Sequence, residues 1–193
     1  MKFRKQTSII ITMVKKLLNY YTTPLLVSAT LGVIILAMTV AKQPIEIIEI
    51  IIGIILGTFV LDIEYILYPY MFEPNSDFAK NIFGYTKSKD FKGLISFINE
   101  HRDGLKEKSL NSALFQVVLI PICLLVAYTD TSYFMKAFVL SIFANSIYKL
   151  IECYFNGTTK EWFWAIKGTP KKEGVLGFIL VLILILVVSI YLI

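Results

Sequence analysis

The chain has 193 residues, 56% of them apolar, and its mean hydropathy is +0.71. That is far more apolar surface than one water-soluble core of this size needs, so a soluble globular domain is excluded and an integral membrane protein is expected. The net charge of +5 does not point to nucleic acid, because the basic residues sit between apolar runs in the way membrane topology requires.

Residues 1–21 are basic at both ends, with Lys2, Arg4 and Lys5 before an apolar run and Lys15 and Lys16 after it. No small-residue cleavage site follows, and the segment predicts an N-terminal amphipathic helix lying on an anionic membrane surface. The first span is expected over residues 25–41, with Pro24 in its first turn. A turn of a few residues leads to a second span at 45–68, so these two helices should be antiparallel neighbours.

Residues 69–109 change character, with seven basic and six acidic residues and a short amphipathic stripe of Phe91, Leu94, Ile95 and Ile98. A segment so poor in large apolar side chains cannot form its own core, so it should lie against the membrane or cap the bundle as a cytoplasmic helical excursion. The third span is expected at 110–128, kinked by Pro121, and the fourth at 133–155. The loop at 156–173 carries Trp162, Phe163 and Trp164, suited to the headgroup level. The fifth span, 174–193, holds no charge and matches a hydrocarbon core of about 30 Å. The expected architecture is thus all-α, a single membrane domain built as a polytopic helix bundle of about five transmembrane helices. Cys123 and Cys153 both fall inside apolar runs and read as small packing residues rather than a disulfide framework.

Sixteen of the nineteen basic residues fall in the first segment, the 69–109 excursion and the 156–173 loop. That side should be cytoplasmic, which predicts a multi-pass protein of the cytoplasmic (inner) membrane with its N-terminus inside and its C-terminus outside.

The second span is unusual. It carries Glu46, Glu49, Asp62 and Glu64, and a carboxylate in a spanning helix is expensive enough to need a reason. At about 100° per residue, Glu46, Glu49, Gly53, Gly57 and Glu64 lie near one line, whereas Asp62 points away from Glu64. Gly53 and Gly57 form a G-x-x-x-G pair that lets another backbone approach closely and leaves room for self-association. If Asp62 and Glu64 are to serve one site, the helix must break near Asp62. In the fourth span Ser141, Asn145, Lys149 and Glu152 share a face, and Lys149 can pair with Glu152 three residues on. Asn111, Ser112 and Gln116 add polar groups near the start of the third span, so polar residues from three helices converge at one membrane face.

The order LDIEY, HRDG, SLNSALFQ and FANSIYKLIECYFNG resembles the membrane-bound metal-dependent hydrolase family. That family shows a P-D-x-D-H motif closing one span, an H-R segment, an H-S step opening the next and an S-H-x-x-x-D motif in the one after. Carried over, Asp62 matches the first aspartate, Glu64 conservatively replaces the second and Tyr65 stands at the first histidine. His101 and Arg102 resemble the H-R pair, Asn111 and Ser112 stand at the H-S step with asparagine in place of the histidine, and Asn145 and Lys149 stand at the last histidine and aspartate. The resemblance covers roughly residues 57–157 and implies a metal-dependent hydrolase using a divalent metal ion held by Asp62, Glu64 and His101.

The substitutions argue the other way, since asparagine is a weak neutral ligand and lysine brings positive charge toward a cation. The sequence therefore favours an inactive relative without metal or other cofactor, with a structural or interaction role in the bilayer. In it, an ion pair from Lys149 to Asp62 or Glu64 fills the ion's space. An active hydrolase and a small oligomeric transporter subunit are the alternatives.

Overall fold

The computed structural model describes residues 2–39, 43–71, 74–101, 109–166 and 170–193, with the side chains of residues 2–20 left undescribed. Arg102 and the side chains of Phe91 and Ile95 also lie outside the described residues. The described residues fold into eight helices: α1 (Lys2–Thr39), α2 (Pro44–Met71), α3 (Asp77–Lys87), α4 (Phe91–His101), α5 (Ala113–Tyr128), α6 (Tyr133–Asn156), α7 (Thr159–Trp162) and α8 (Lys172–Tyr191).

Four stretches are helical, long and apolar enough to cross a membrane: Tyr21–Thr39, Pro44–Leu67, Tyr133–Asn156 and Lys172–Tyr191. The third expected span, 110–128, is the shorter apolar helix α5, whose 16 residues cover about 24 Å at 1.5 Å each. Side chains such as Val33, Leu125, Leu180 and Leu184 are more than half exposed on the outside of the bundle, a surface that hydrocarbon covers without penalty and water does not.

Two boundaries differ from expectation at prolines. The N-terminal segment is not a separate helix, because α1 runs unbroken from residue 2 and holds Pro24 in its interior. The proline removes one N–H from the ladder and crowds the carbonyl four residues before it, yet the helix continues through it. Likewise α2 runs through Pro69 to Met71, three residues into the stretch assigned to the excursion. No break occurs at Asp62.

The central element is α6, which touches α1, α2, α5, α7 and α8. In its spanning window 72% of residues are buried, against 22% for α8. Its largest contact is with α2, and the reason is the glycine pair. A Cβ at Gly53 would stand 2.6 Å from Phe134 O, and one at Gly57 would stand 2.6 Å from Phe138 O and 2.7 Å from Ser141 Cβ. The two backbones therefore meet with no side chain between them. The register climbs together, Gly53 beside Phe134 and Gly57 beside Phe138, so α2 and α6 run parallel. This glycine face is occupied within the chain, and self-association would have to use another surface.

Beyond α2, the chain forms a tight helical hairpin. Ser76 caps α3 by accepting from Ala79 N at 3.1 Å, and Lys89, at φ 55°, turns the chain into Asp90, whose carboxylate accepts from Gly93 N at 2.9 Å. The hairpin docks on the end of α2 through Tyr65, packed with Phe78 and Ile98, and through Tyr70 against Phe83 at 4.6 Å. Of the amphipathic stripe, Leu94 is buried and Ile98 packs against Tyr65.

Candidate functional site

Asp62 and Glu64 emerge from one continuous helix and go to different partners. Lys149 Nζ on α6 donates to Asp62 Oδ1 at 2.7 Å, and the two side chains are 9% and 14% exposed. The ion pair ties α2 to α6 one helical turn beyond Thr58. Lys149 does not pair with Glu152, which is exposed. The physical reason is cost: a lysine this deep needs a counter-charge at its own depth, and Glu152 lies closer to the helix end.

Glu64 is 3% exposed and faces the start of α5. Its Oε1 accepts from Leu110 N at 2.8 Å, and its Oε2 accepts from Asn111 N at 3.1 Å and from Asn111 Nδ2 at 2.7 Å. Asn111 Nδ2 also reaches Leu61 O at 3.1 Å. Both neighbours are acceptors, so the orientation of the amide is fixed. Ser112 then caps α5, accepting from Phe115 N at 3.3 Å while its hydroxyl donates to Ser109 O at 2.6 Å. A carboxylate on α2 is thereby spent on backbone N–H groups ahead of α5, which would otherwise be buried without acceptors. Replacing Glu64 with alanine is expected to lower stability by about 2–3 kcal/mol, with Glu64→Gln costing less. Thermal unfolding of the detergent-purified protein measures both.

Asn145 belongs to a third group of contacts one turn deeper. Its Nδ2 donates to Ser28 Oγ at 2.7 Å and to Ser141 O at 2.9 Å. Ser28 and Ser141 hydroxyls lie 3.2 Å apart, and Thr58 Oγ1 donates to Ser28 Oγ at 2.7 Å or to Ile54 O at 2.8 Å. Ser141 Oγ donates to Ile54 O at 3.0 Å. Three helices, α1, α2 and α6, are cross-linked by this hydroxyl and amide cluster. Asn111 Oδ1 and Asn145 Oδ1 are buried with no donor among the described residues.

Sequence reasoning missed Ser28 and Thr58. The available signal was Ser28-x-x-x-Gly32 in α1, a small-residue pair of the kind that admits a neighbouring helix. The aromatic loop also departs from expectation. Trp162 and Phe163 are buried, and Trp162 Nε1 donates to Gln116 Oε1 at 3.0 Å, while Gln116 Nε2 donates to Ser146 O at 3.1 Å. Only Trp164 of the three is exposed. The indole N–H found a buried amide partner, which favours docking into the bundle over the headgroup level.

No protein family, curated protein or solved structure matches the chain.

The metal set Asp62, Glu64 and His101 is not assembled. Asp62 is engaged by Lys149, and both oxygens of Glu64 accept N–H donors. His101 lies at the end of α4, exposed, with Nδ1 3.0 Å from Phe97 O and its ring stacked on Phe97 at 4.3 Å. Among the described residues, no three His, Cys, Asp or Glu side chains come together closely enough to hold a metal ion. The donors present do not fit a divalent ion, which needs several oxygen or imidazole ligands converging on one point. Tyr65 is buried against Phe78 and Ile98 of the α3–α4 hairpin. What the arrangement can do is hold helices together: an ion pair for α2 and α6, a carboxylate clamp for α2 and α5, and a hydroxyl cluster for α1, α2 and α6.

Proposed function

We propose that this chain is a metal-free, multi-pass protein of the cytoplasmic membrane, a divergent relative of the membrane-bound metal-dependent hydrolases, acting as a structural or interaction component rather than an enzyme. The observation that carries the reading is the 2.7 Å contact between Lys149 and Asp62. It sets a fixed positive charge against the first aspartate that the resemblance assigns to the ion. A cation at this point would meet an ammonium group, and the repulsion at such low exposure is large. The concentration of sixteen of nineteen basic residues on three segments supports a cytoplasmic N-terminus and an outward C-terminus.

The test is metal content by mass spectrometry on protein purified without chelators from cells supplied with zinc, manganese and iron. The expected result is far less than one ion per chain, unchanged by Asp62→Ala or His101→Ala. Stoichiometric metal that disappears in either variant would overturn the proposal and restore the hydrolase reading.

A further inference from the structure

The first helix is longer than a bilayer requires. α1 has 38 residues, about 57 Å at 1.5 Å each, while its stretch suited to crossing is Tyr21–Thr39, which by itself nearly fills a hydrocarbon core of about 30 Å. Residues 2–20 therefore continue α1 for about 28 Å past the end of the span. They carry Lys2, Arg4, Lys5, Lys15 and Lys16 and no aspartate or glutamate. Setting these five aside leaves fourteen basic residues against fourteen acidic ones, so this one stretch accounts for the whole net charge of +5.

The helical register separates charge from apolar surface. At about 100° per residue, Phe3, Ile10, Met13, Val14, Leu17 and Leu18 fall within an arc of about 140°, and Arg4, Lys5, Lys15 and Lys16 fall within an opposite arc of about 120°. A helix with one apolar side, one cationic side and no acid suits the boundary of an anionic bilayer, where the apolar side enters and each cation gains from the surface potential. That surface is always at hand, because the segment is continuous with a membrane span. Held along the axis of the span, however, the segment would point away from it. Pro24 has no N–H to give the carbonyl of Tyr20, so the helical ladder lacks a bond at the junction between segment and span. We propose that residues 2–20 dock on the anionic headgroup surface of the bilayer, with α1 bending at Pro24. The proposal rests on the placement of the chain in a membrane, and not on its orientation or on metal, since vesicles with the same lipids in both leaflets meet either orientation.

The test is a distance in the full chain reconstituted in vesicles. Nitroxides are attached at Ile10→Cys and at Met38→Cys, an exposed position, with Cys153→Ala and with the fully buried Cys123 left in place. Unbroken helix would hold positions 10 and 38 about 42 Å apart, and a right-angle bend at Pro24, midway between them, shortens this to about 30 Å. Dipolar spectroscopy is expected to read the short distance in vesicles of phosphatidylcholine with phosphatidylglycerol. Lys15→Glu with Lys16→Glu should restore the long distance in the same vesicles, and so should Pro24→Ala with every cation intact. The long distance in the parent protein would overturn the proposal. A short distance that survives the charge reversal would overturn the anionic surface as the occupant, and one that survives Pro24→Ala would overturn the bend at that residue. Dipolar coupling between chains labelled only at position 10 would give the segment to a second copy and overturn the proposal as well.

Discussion

Replacing Asp62 with alanine is expected to destabilise the protein by about 3–5 kcal/mol, because Lys149 is then left buried without a counter-charge. Lys149→Ala should cost a similar amount through the stranded carboxylate. The informative variant is the pair Asp62→Ala with Lys149→Met, which removes both charges and refills part of the volume. It should be more stable than Asp62→Ala alone, since replacing a buried ion pair by apolar groups is often nearly neutral. Reversible unfolding in detergent, read as a double-mutant cycle, checks this. Simple addition of the single effects would mean that the 2.7 Å contact contributes no coupling. By contrast, the hydroxyl and amide contacts among Ser28, Thr58, Ser141 and Asn145 are worth only about 0.6 kcal/mol each. The ion pair is therefore the polar contact most sensitive to loss of one partner, although the pair as a whole need contribute little net stability.

Gly57→Leu should be the most damaging change at the α2–α6 contact. Even the first atom of a side chain would meet Phe138 O at 2.6 Å and Ser141 Cβ at 2.7 Å, and the first of these is backbone that cannot rotate away. Gly57→Ala is expected to cost about 1–3 kcal/mol as an overpacked contact, and leucine should separate the helices and release the Lys149–Asp62 pair with them. A cysteine crosslink engineered between α2 and α6 would report the separation directly, forming quickly in wild type and failing in Gly57→Leu. Unchanged crosslinking would mean that the helices meet elsewhere.

The helices themselves were legible because apolar runs of bilayer length leave few other folds, and residues 133–155 and 174–193 match α6 and α8 within two residues at each end. The glycine pair was legible as a packing face. Its partner was not, since G-x-x-x-G says that something approaches closely without saying what, and here it is α6 of the same chain. Lys149 and Asp62 could be suspected of pairing because each is costly alone in an apolar helix. The choice between Asp62 and Glu64 rested on how α5 begins, and the short run Ser109 to Ser112 encodes that only through the backbone N–H groups it presents. Trp162 was misread because an indole suits the headgroup level and a buried glutamine equally well, and only the position of Gln116 on a neighbouring helix decides. The resemblance to a metal-dependent family concerns ancestry and chemistry, and neither is fixed by packing geometry.

The partner that neutralises Asp62 lies 87 residues further along the chain. During synthesis, α2 must therefore be handed into the membrane while the lysine that will neutralise its carboxylate has not yet been made. Until α6 arrives, the Asp62 carboxylate has no lysine from that helix to pair with, and a lone charge in an apolar helix is costly. A chain stalled before residue 149 would therefore lack the charge pair that ties α2 to α6.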